Sequence, residues 1–400
     1  MRCHPGWALI DGQAPSGLET HGPTRGRDQT QLRSCTMGMK IWVTAPFFYA
    51  DMSRPWSETL DQMLRIVDAA EEFGFEGITI NENQFQNYVC NPSAMMFAAV
   101  AAQRTKRLRI VPGVVVLPAY NPLLVASEMS MLDHLAPGRV GLGVARGGSR
   151  LQLDRLGVAP SEQRAKYEEG LEIVRAMFAQ DDFSYDGQFY SFPPTTLLPK
   201  PITKPHPDIW VASQSTDGVR RVAQQGLNLI TAPNYGNFEP YGDLEELLAA
   251  YNDEVEKSGN ERQQVMVLRH TWVGQTEEEA LEYFDDVVNE YNYYMALVKG
   301  PGTVDTKEGR LATRDVGESR DYVHGGKMTP ENHSFSKENL LEKYADPILT
   351  TPDKMIERFK HYENLGVDHM GCLIAVGMPT EAIIKNMKMM SEEVLPAFAD

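Results

Sequence analysis

The stretch that decides the fold runs from Leu108 to Ser149 and reads LRIVPGVVVLPAYNPLLVASEMSMLDHLAPGRVGLGVARGGS. Its first ten residues are almost all apolar and largely β-branched, which predicts a strand that is buried on both faces. A helix then opens at Asn121-Pro122, because asparagine is a favoured N-cap and proline fits the first helical position. A second strand follows from about Arg139 to Ala145. Strand, helix and strand in this order indicate a parallel sheet.

From Lys40 onwards the chain repeats this pattern until eight strand–helix units are complete. The predicted strands are Lys40–Ala45, Gly77–Ile80, Leu108–Leu117, Arg139–Ala145, Asp208–Ala212, Leu227–Thr231, Gln264–Val273 and His369–Val376. Eight such units favour a closed (β/α)8 TIM barrel with insertions over an open doubly wound sheet. A Rossmann motif is also missing, since Arg146 occupies the sixth position of the glycine pattern that begins at Gly141.

Three segments do not fit the repeat. Residues 1–38 are rich in Gly, Pro, Thr and Arg and lack apolar periodicity, which predicts a disordered extension before a barrel domain at 39–400. Residues 183–192 have the pattern of a hairpin that turns at Asp186-Gly187. Residues 299–346 are polar and too long for an ordinary connection, so they form an active-site lid, another insertion or a disordered loop.

The composition excludes several classes of function. The net charge of −17 argues against nucleic acid and anionic membranes as partners, and no apolar run reaches the length of a membrane span. The 4 cysteines are scattered and the 9 histidines have no metal-ligand spacing, so we expect reduced thiols, no structural metal and a cytoplasmic protein. Cys372 is expected in the core, whereas Cys90 is either packed or reactive.

Arg146 is the strongest candidate for a binding residue. It stands between a strand end and Gly147, where a fixed cation and free backbone N–H groups form a seat for phosphate. The carboxyl edge of a β/α barrel is also where its chemistry is done. The alternative is a surface arginine paired with an acidic neighbour. Ser213, Ser215 and Thr216 precede a helix, and they either cap it, bind phosphate or do both.

Further candidate residues lie at the ends of predicted strands or within them. Glu82 is either bonded inside the barrel or orients the amide of Asn83, which cannot act as a base near neutral pH. His270 is either a satisfied core imidazole or a catalytic group. Gly113, with Val114, stands within a strand, where a glycine often marks the close approach of a flat ligand.

The residues at this edge are mainly aromatic, amide and hydroxyl side chains. They include neither a nucleophile–base pair nor a carboxylate pair, which suits a planar cofactor that brings its own reactivity. The aromatic residues expected to exclude water there are Phe47, Phe48, Phe85, Tyr235 and Trp272.

Several tracts together resemble one known family. They are Gly74–Gly77, Asn81–Phe85, Val114–Pro118 with Asn121-Pro122, Met131–Arg139, Gly141–Gly147 and Pro207–Ser213. In this order they resemble the bacterial luciferase-like flavin monooxygenases over almost all of Lys40 to Asp400. The resemblance implies a β/α barrel that binds flavin mononucleotide (FMN) at its carboxyl edge.

The resemblance also assigns roles to residues. Arg146 matches the phosphate-binding arginine of luciferase, and Ser215 matches a phosphate-binding serine, with Gln214 and Thr216 on either side. The bond between Gly113 and Val114 corresponds to a nonprolyl cis peptide beneath the flavin ring.

One tract departs from the family pattern. Many members carry Glu-His-His-Phe where this chain has Glu82-Asn83-Gln84-Phe85, so a base is missing at Asn83 and light-emitting aldehyde oxidation is not expected. The 299–346 segment lies near luciferase's mobile loop, which favours the lid.

These features lead to a flavin-dependent monooxygenase, of the two-component type, as the expected function. It would take reduced FMN from a separate flavin reductase and use O2 to oxygenate a small apolar organic substrate. The alternatives are a deazaflavin-dependent hydride-transfer enzyme on the same barrel and a flavin-binding protein without turnover. Members of the family are usually dimers, so we expect a homodimer or heterodimer through the second and third helices, 94–102 and 125–132.

Overall fold

The structure is a computed structural model that describes residues 38–49, 54–85, 89–232, 244–287, 305–306, 309–310 and 347–399. The predicted extension at 1–38, apart from Gly38, lies outside the described residues. The same is true of Tyr235 and of the predicted 299–346 insertion, apart from the short strands Asp305–Thr306 and Gly309–Arg310. No helix in the described ranges is long and apolar enough to span a membrane.

The predicted β/α barrel is confirmed. Its strands are β1 Lys40–Ala45, β2 Gly77–Ile80, β3 Arg109–Pro112, β4 Val115–Val116, β5 Gly141–Ala145, β8 Asp208–Ala212, β9 Asn228–Thr231, β10 Val265–Val273 and β14 His369–Leu373. They pair in parallel in the order β3-β2-β1-β14-β10-β9-β8-β5-β4. β3, at one end of this order, meets the residues just before β5, next to the other end, where the backbone N–H of Ile110 donates to the carbonyl of Arg139 at 2.7 Å. The strands are therefore arranged as a barrel with one shared carboxyl edge.

Smaller strands lie outside the barrel wall. The predicted hairpin is present as β6 Phe183–Asp186 and β7 Ser191–Thr195, and it forms a separate two-stranded antiparallel sheet. The strands at 305–306 and 309–310 are β11 and β12. Strand β13, Ile348–Thr350, extends β10 in parallel.

The helices surround the barrel and pack apolar faces against it. They are α1 Trp56–Glu72, α2 Ala94–Arg104, α3 Pro122–Leu135, α4 Arg150–Arg155, α5 Gln163–Ala179, α6 Thr216–Gln224, α7 Leu244–Ser258, α8 Glu277–Ala280, α9 Pro352–Asn364 and α10 Thr380–Met389. Asn121 caps α3 as predicted, since its side chain accepts from the N–H of Leu123 at 2.9 Å. The α4 helix was not predicted, because its six residues are too few to show a clear apolar period.

One local prediction is wrong. The segment Leu108–Leu117 is not one strand: β3 ends at Pro112, β4 begins at Val115, and a 3-10 turn starts at Leu117. The peptide bond between these two strands, Gly113–Val114, is cis, as the family resemblance implies. Helix α2 starts after Ser93, which is its N-cap, and the Asn91 amide donates to the carbonyl of Asn81 at 2.8 Å.

The lower half of the barrel interior is filled by two tryptophans around a histidine. Trp42 donates from Nε1 to Nδ1 of His369 at 2.9 Å, and the other ring nitrogen lies 3.1 Å from Oε1 of Gln264. Because Nδ1 accepts, Nε2 carries the proton and the imidazole is neutral. Trp210 meets the same ring edge-on at 5.4 Å. Burial, together with the charges of Arg109 and Lys40, lowers the pKa of His369 from 6.5 to about 3.

This histidine predicts a loss of stability in mild acid. Below about pH 6.5 the unfolded chain takes up a proton that the folded state refuses until about pH 3, so acid favours unfolding. We expect the free energy of unfolding to fall by up to about 1.4 kcal/mol per pH unit from this group. Urea unfolding between neutral and acid pH should show a shallower pH slope in His369→Gln than in the wild type. The same slope in both would contradict the prediction, and His134→Gln, at an exposed histidine, is the control.

Candidate active site

An open pocket lies at the carboxyl edge of the barrel, beside strands β5 and β8. It encloses about 450 Å³ including its mouth. The residues that line it come from those two strands and from the helices that follow them: Arg146, Arg164, Tyr167, Glu168, Val211, Ala212, Ser213, Gly218, Arg221, Val222 and Gln225. The pocket therefore stands where the first prediction placed a phosphate site, next to the end of the strand that Arg146 follows.

The loop that carries Arg146 is fixed from helix α5. The amide of Gln163 donates to the carbonyl of Arg146 at 2.9 Å and to that of Gly147 at 2.7 Å. Gly147 has a φ of +89°, a conformation that side chains disfavour, and a Cβ there would clash with Val116. The sequence at this turn therefore allows the backbone to bend sharply and present the arginine at the mouth of the pocket.

Two more arginines line the pocket, and sequence reasoning missed both. Arg164 lies in the first turn of α5, and Arg221 lies on the face of α6 that also carries Gly218 and Gln225. Within the described residues, neither Arg164 nor Arg221 is ion-paired with a carboxylate, although the protein has 55 acidic residues. Helices that follow barrel strands begin at the carboxyl edge. Arginines in the first two turns of such helices could therefore have been predicted to lie near the site.

The charges of the lining residues suit a doubly charged anion. Three arginines line the pocket, Arg146, Arg164 and Arg221, and Glu168 is also part of its wall. The sum of these charges is +2, in a chain whose net charge is −17. Like charges that lie close together repel one another, and an anion bound among these arginines would relieve that repulsion.

Ser213 and Gly218 line the pocket where β8 leads into α6. Ser213 is held by its backbone N–H, which donates to the carbonyl of Ile230 at 3.0 Å. A Cβ at Gly218 would clash with the Ser213 Oγ, so the glycine leaves room for the hydroxyl. Ser215 caps α6 and accepts from the N–H of Gly218 at 3.2 Å.

Of the four predicted residues in this tract, only Ser213 lines the pocket. Ser215 is used as a helix cap, while Gln214 and Thr216 are half-buried beside it. Their predicted contacts with phosphate stay predictions.

Tyr167 closes one side of the pocket. Its side chain is buried, with 7% of its surface exposed, and its hydroxyl has no hydrogen-bond partner in the described part of the chain. Burial raises the pKa of this phenol, which keeps it protonated, while the charge of Arg146 opposes the shift. A buried O–H without a partner is unusual, since such groups are bonded in most proteins.

Glu82 joins the end of β2 to helix α2. Its carboxylate accepts from the N–H of Ala94 at 2.9 Å and from the hydroxyl of Tyr120 at 2.8 Å. Burial raises the pKa of Glu82, whereas these two hydrogen bonds lower it. Glu82 was predicted either to be a bonded structural residue or to orient the amide of Asn83, and these hydrogen bonds favour the structural role. The adjacent Asn83 is half-buried, and its backbone N–H donates to the carbonyl of Asn91 at 3.0 Å.

The other predicted site residues lie in the barrel wall. His270 is 2% exposed near the upper end of β10, opposite Leu373 of β14. Gly113 is pressed against β2: a Cβ there would lie 3.3 Å from the Cβ of Thr79. The catalytic role of His270 and the contact of Gly113 and Val114 with a cofactor stay predictions.

The predicted aromatic wall is only partly present. Phe47 is fully buried and meets Phe97 of α2 edge-on at 4.6 Å, so it belongs to the helical layer. Trp272 is also buried, against Tyr283 at 4.9 Å. Phe48 is half-buried, and Phe85 is 53% exposed at the mouth. The prediction failed for Phe47 and Trp272 because a strand end exposes only one of its two faces to the mouth.

The described cysteines are free thiols, and burial raises the pKa of both. That of Cys372 rises to about 12, in agreement with its predicted place in the core. The pKa of Cys90 is also raised, which favours packing over reactivity. In the parts of the chain that the structure describes, no group of His, Cys, Asp and Glu side chains is arranged to hold a metal ion.

Comparison with known proteins identifies the class to which this barrel belongs. The family model of the luciferase-like monooxygenases matches residues 39–369. The chain therefore belongs to the luciferase-like monooxygenase family, a family of oxidoreductases, as the sequence resemblance predicts.

Two relatives match over long stretches. The oxygenase component of the flavin-dependent trigonelline monooxygenase of Acinetobacter baylyi is 28% identical over 343 residues, which are 85% of this chain and 90% of that protein. The 4-hydroxyprotoasukamycin monooxygenase of Streptomyces nodosus subsp. asukaensis is 27% identical over 273 residues, 66% of this chain and 72% of that protein.

Solved structures share the fold. Monooxygenase RslO1 from Streptomyces bottropensis has a TM-score of 0.73 at 23% identity, covering 90% of this chain and 100% of its own. The oxygenating constituent of 3,6-diketocamphane monooxygenase from Pseudomonas putida, in complex with FMN, has a TM-score of 0.69 at 18% identity and covers 90% and 99%. An F420-dependent secondary alcohol dehydrogenase has a TM-score of 0.67 at 16% identity and covers 91% and 100%.

Proposed function

We propose that this chain is the oxygenase component of a two-component flavin-dependent monooxygenase. It takes reduced FMN from a separate flavin reductase and uses O2 to oxygenate a small apolar organic substrate. The observation that carries the proposal is the cluster of Arg146, Arg164 and Arg221 around a pocket at the carboxyl edge of a barrel of this family. The relative from Acinetobacter, whose name describes an oxygenase component, supports the need for a reductase.

The residues present fit the phosphate end of FMN. A phosphate monoester carries about −1.5 to −2 charges at neutral pH, and the lining charges sum to +2. The space left by Gly218 beside Ser213 is a cradle that a Cβ would fill. Reduced FMN, when bound, would supply the electrons and the site at which O2 reacts.

The chain's own contribution is to bind, to orient and to exclude water. Arg146, Arg164 and Arg221 hold the phosphate at one side of the mouth, which directs the ring towards the strand ends that include Gly113-Val114. The bonds of Glu82 to Tyr120 and to helix α2 fix the loop that presents Asn83. Asn83 donates or accepts a hydrogen bond there but takes no proton. Phe85, exposed at the mouth, offers an apolar surface to the substrate.

A deazaflavin-dependent hydride transfer is the second candidate. It is favoured by the shared fold of the F420-dependent dehydrogenase. The phosphate of F420 is a diester with a single negative charge and a further chain attached. A pocket with a charge of +2 suits a terminal monoester better. The third possibility, a flavin-binding protein without turnover, shares the pocket and differs only in its reaction with O2.

Rapid mixing of the anaerobic protein and reduced FMN with aerated buffer separates these functions. For the oxygenase, we expect O2 to be consumed well before the absorbance of oxidised flavin returns, whereas free flavin shows no such delay. Oxidation at the rate of free flavin would contradict the proposal. Binding of reduced F420 in place of FMN would then support hydride transfer. Binding of FMN without the delay would indicate a flavin-binding protein without turnover.

We also propose that two copies of the chain associate through α2 and α3. These adjacent helices carry four large apolar side chains that are 42–73% exposed, Met96, Val100, Leu124 and Met131. A surface of this kind marks an interaction site on a folded protein.

Charged replacements test this surface. Burying a methionine is worth about 1.5–3 kcal/mol, so Met96→Asp with Met131→Asp should weaken association at least about a hundredfold. Sedimentation velocity should show a dimer for the wild type and a monomer for this variant. Lys360→Asp, which makes the same change in charge on α9, should remain a dimer. A monomeric wild type would contradict the proposal.

A further inference from the structure

The hydroxyl of Tyr167 makes no hydrogen bond within the described part of the fold. The side chain is 7% exposed, and its oxygen has no hydrogen-bond partner among the residues that the structure describes. Leaving a buried hydroxyl unbonded costs about 1–3 kcal/mol. Phenylalanine would fill the same volume in α5 without this cost. The oxygen is therefore better explained by a partner that binds to the protein than by packing.

The position of Tyr167 shows where that partner lies. Tyr167 lines the same pocket as Arg146, Arg164 and Ser213. It follows Arg164 by three residues in α5, so both side chains lie on one face of the helix. Because Gln163 of the same helix holds the carbonyls of Arg146 and Gly147, the phenol and two of the arginines are fixed as one group.

We propose that the hydroxyl of Tyr167 donates a hydrogen bond to the phosphate of the bound mononucleotide, and that it helps the site to select phosphorylated over unphosphorylated flavin. This inference rests on the proposed function, since it names a further residue of the same site. The phenol is a neutral donor, so it leaves the charge of the pocket at +2 while it adds a fixed direction to the binding of the anion. Burial keeps it protonated and able to donate.

The test is the substitution Tyr167→Phe, which removes one oxygen atom. We expect its affinity for FMN to fall about 10- to 150-fold, the effect of one hydrogen bond to a charged group, with an unchanged affinity for riboflavin. Without ligand, its unfolding temperature should equal or exceed that of the wild type, because an unbonded hydroxyl is lost. Tyr185→Phe is the matched control: its hydroxyl donates to Glu172 at 3.1 Å, outside the pocket.

The possible results separate this inference from the function on which it rests. Equal FMN affinity in wild type and Tyr167→Phe overturns the inference, and so does an equal loss for FMN and riboflavin, which indicates packing. If the wild type binds neither flavin, the proposed function fails. In that case the unfolding temperature is measured with inorganic phosphate alone. If phosphate stabilises the wild type but not Tyr167→Phe, Tyr167 is supported as an anion ligand. Any other result overturns the inference.

Discussion

Replacing Arg164 and Arg221 together by alanine should weaken the binding of FMN at least about a hundredfold. A hydrogen bond to a charged group is worth about 1.5–3 kcal/mol, and two such contacts are lost while Arg146 remains. Riboflavin, which lacks the phosphate, should bind to the variant as it does to the wild type. Titration of both proteins with both flavins measures the effect.

Arg220→Ala is the matched control for this variant. Arg220 neighbours Arg221 in α6, but it points away from the pocket and pairs with Asp253 at 2.6 Å and Glu254 at 3.3 Å. Its removal should leave the affinity for FMN unchanged. If the double variant binds FMN as tightly as the wild type, the pocket does not hold the phosphate. If it loses riboflavin to the same extent, the arginines act on the fold instead.

Replacing Arg139 by alanine should lower the free energy of unfolding by about 3 kcal/mol. Its guanidinium donates to Oγ1 of Thr105 at 3.0 Å and to the carbonyls of Leu108, Ala102 and Thr105 at 2.8–3.2 Å. These bonds join the end of α2 to the start of β3, at the place where the barrel closes. Without the arginine, carbonyl groups there lose their partners, which is a principal cause of large destabilisation.

Urea unfolding measures this effect, and a lysine variant separates the contribution of the charge from that of the hydrogen bonds. Arg139→Lys keeps the positive charge but has no planar fork with which to reach several acceptors at once. It should recover less than half of the lost stability. Full recovery would show that charge alone matters at this joint, and an alanine variant as stable as the wild type would refute the role of Arg139.

The fold could be predicted further than the site. Buried strands have a strong apolar pattern, so β1, β2 and β8 have the predicted bounds. The long strand at Leu108–Leu117 was misjudged because its apolar residues continue through Gly113-Val114, where the chain breaks into two short strands. The pattern of apolar residues indicates which positions are buried, but it does not show where the backbone turns.

In the site, Arg146 was found because it follows a strand and precedes glycines. Arg164, Arg221 and Tyr167 were missed because they stand within helices, where arginine and tyrosine are ordinary residues and only the three-dimensional arrangement shows that they converge. The tract Met131–Arg139 proved to be structural. Asp133, for example, accepts from the backbone of Thr203 at 2.7 Å and ties α3 to the loop that follows β7.

The place of the arginine pocket has a consequence for how this enzyme can change over evolution. The pocket is built from β5, β8 and the helices α5 and α6, which adjoin one another in the barrel. The strands β1, β2, β10 and β14 form the other side of the wall and contribute no residue to the pocket within the described chain. If the pocket binds phosphate as proposed, mutations at the ends of these four strands would alter the choice of substrate without changing the residues that bind the anion.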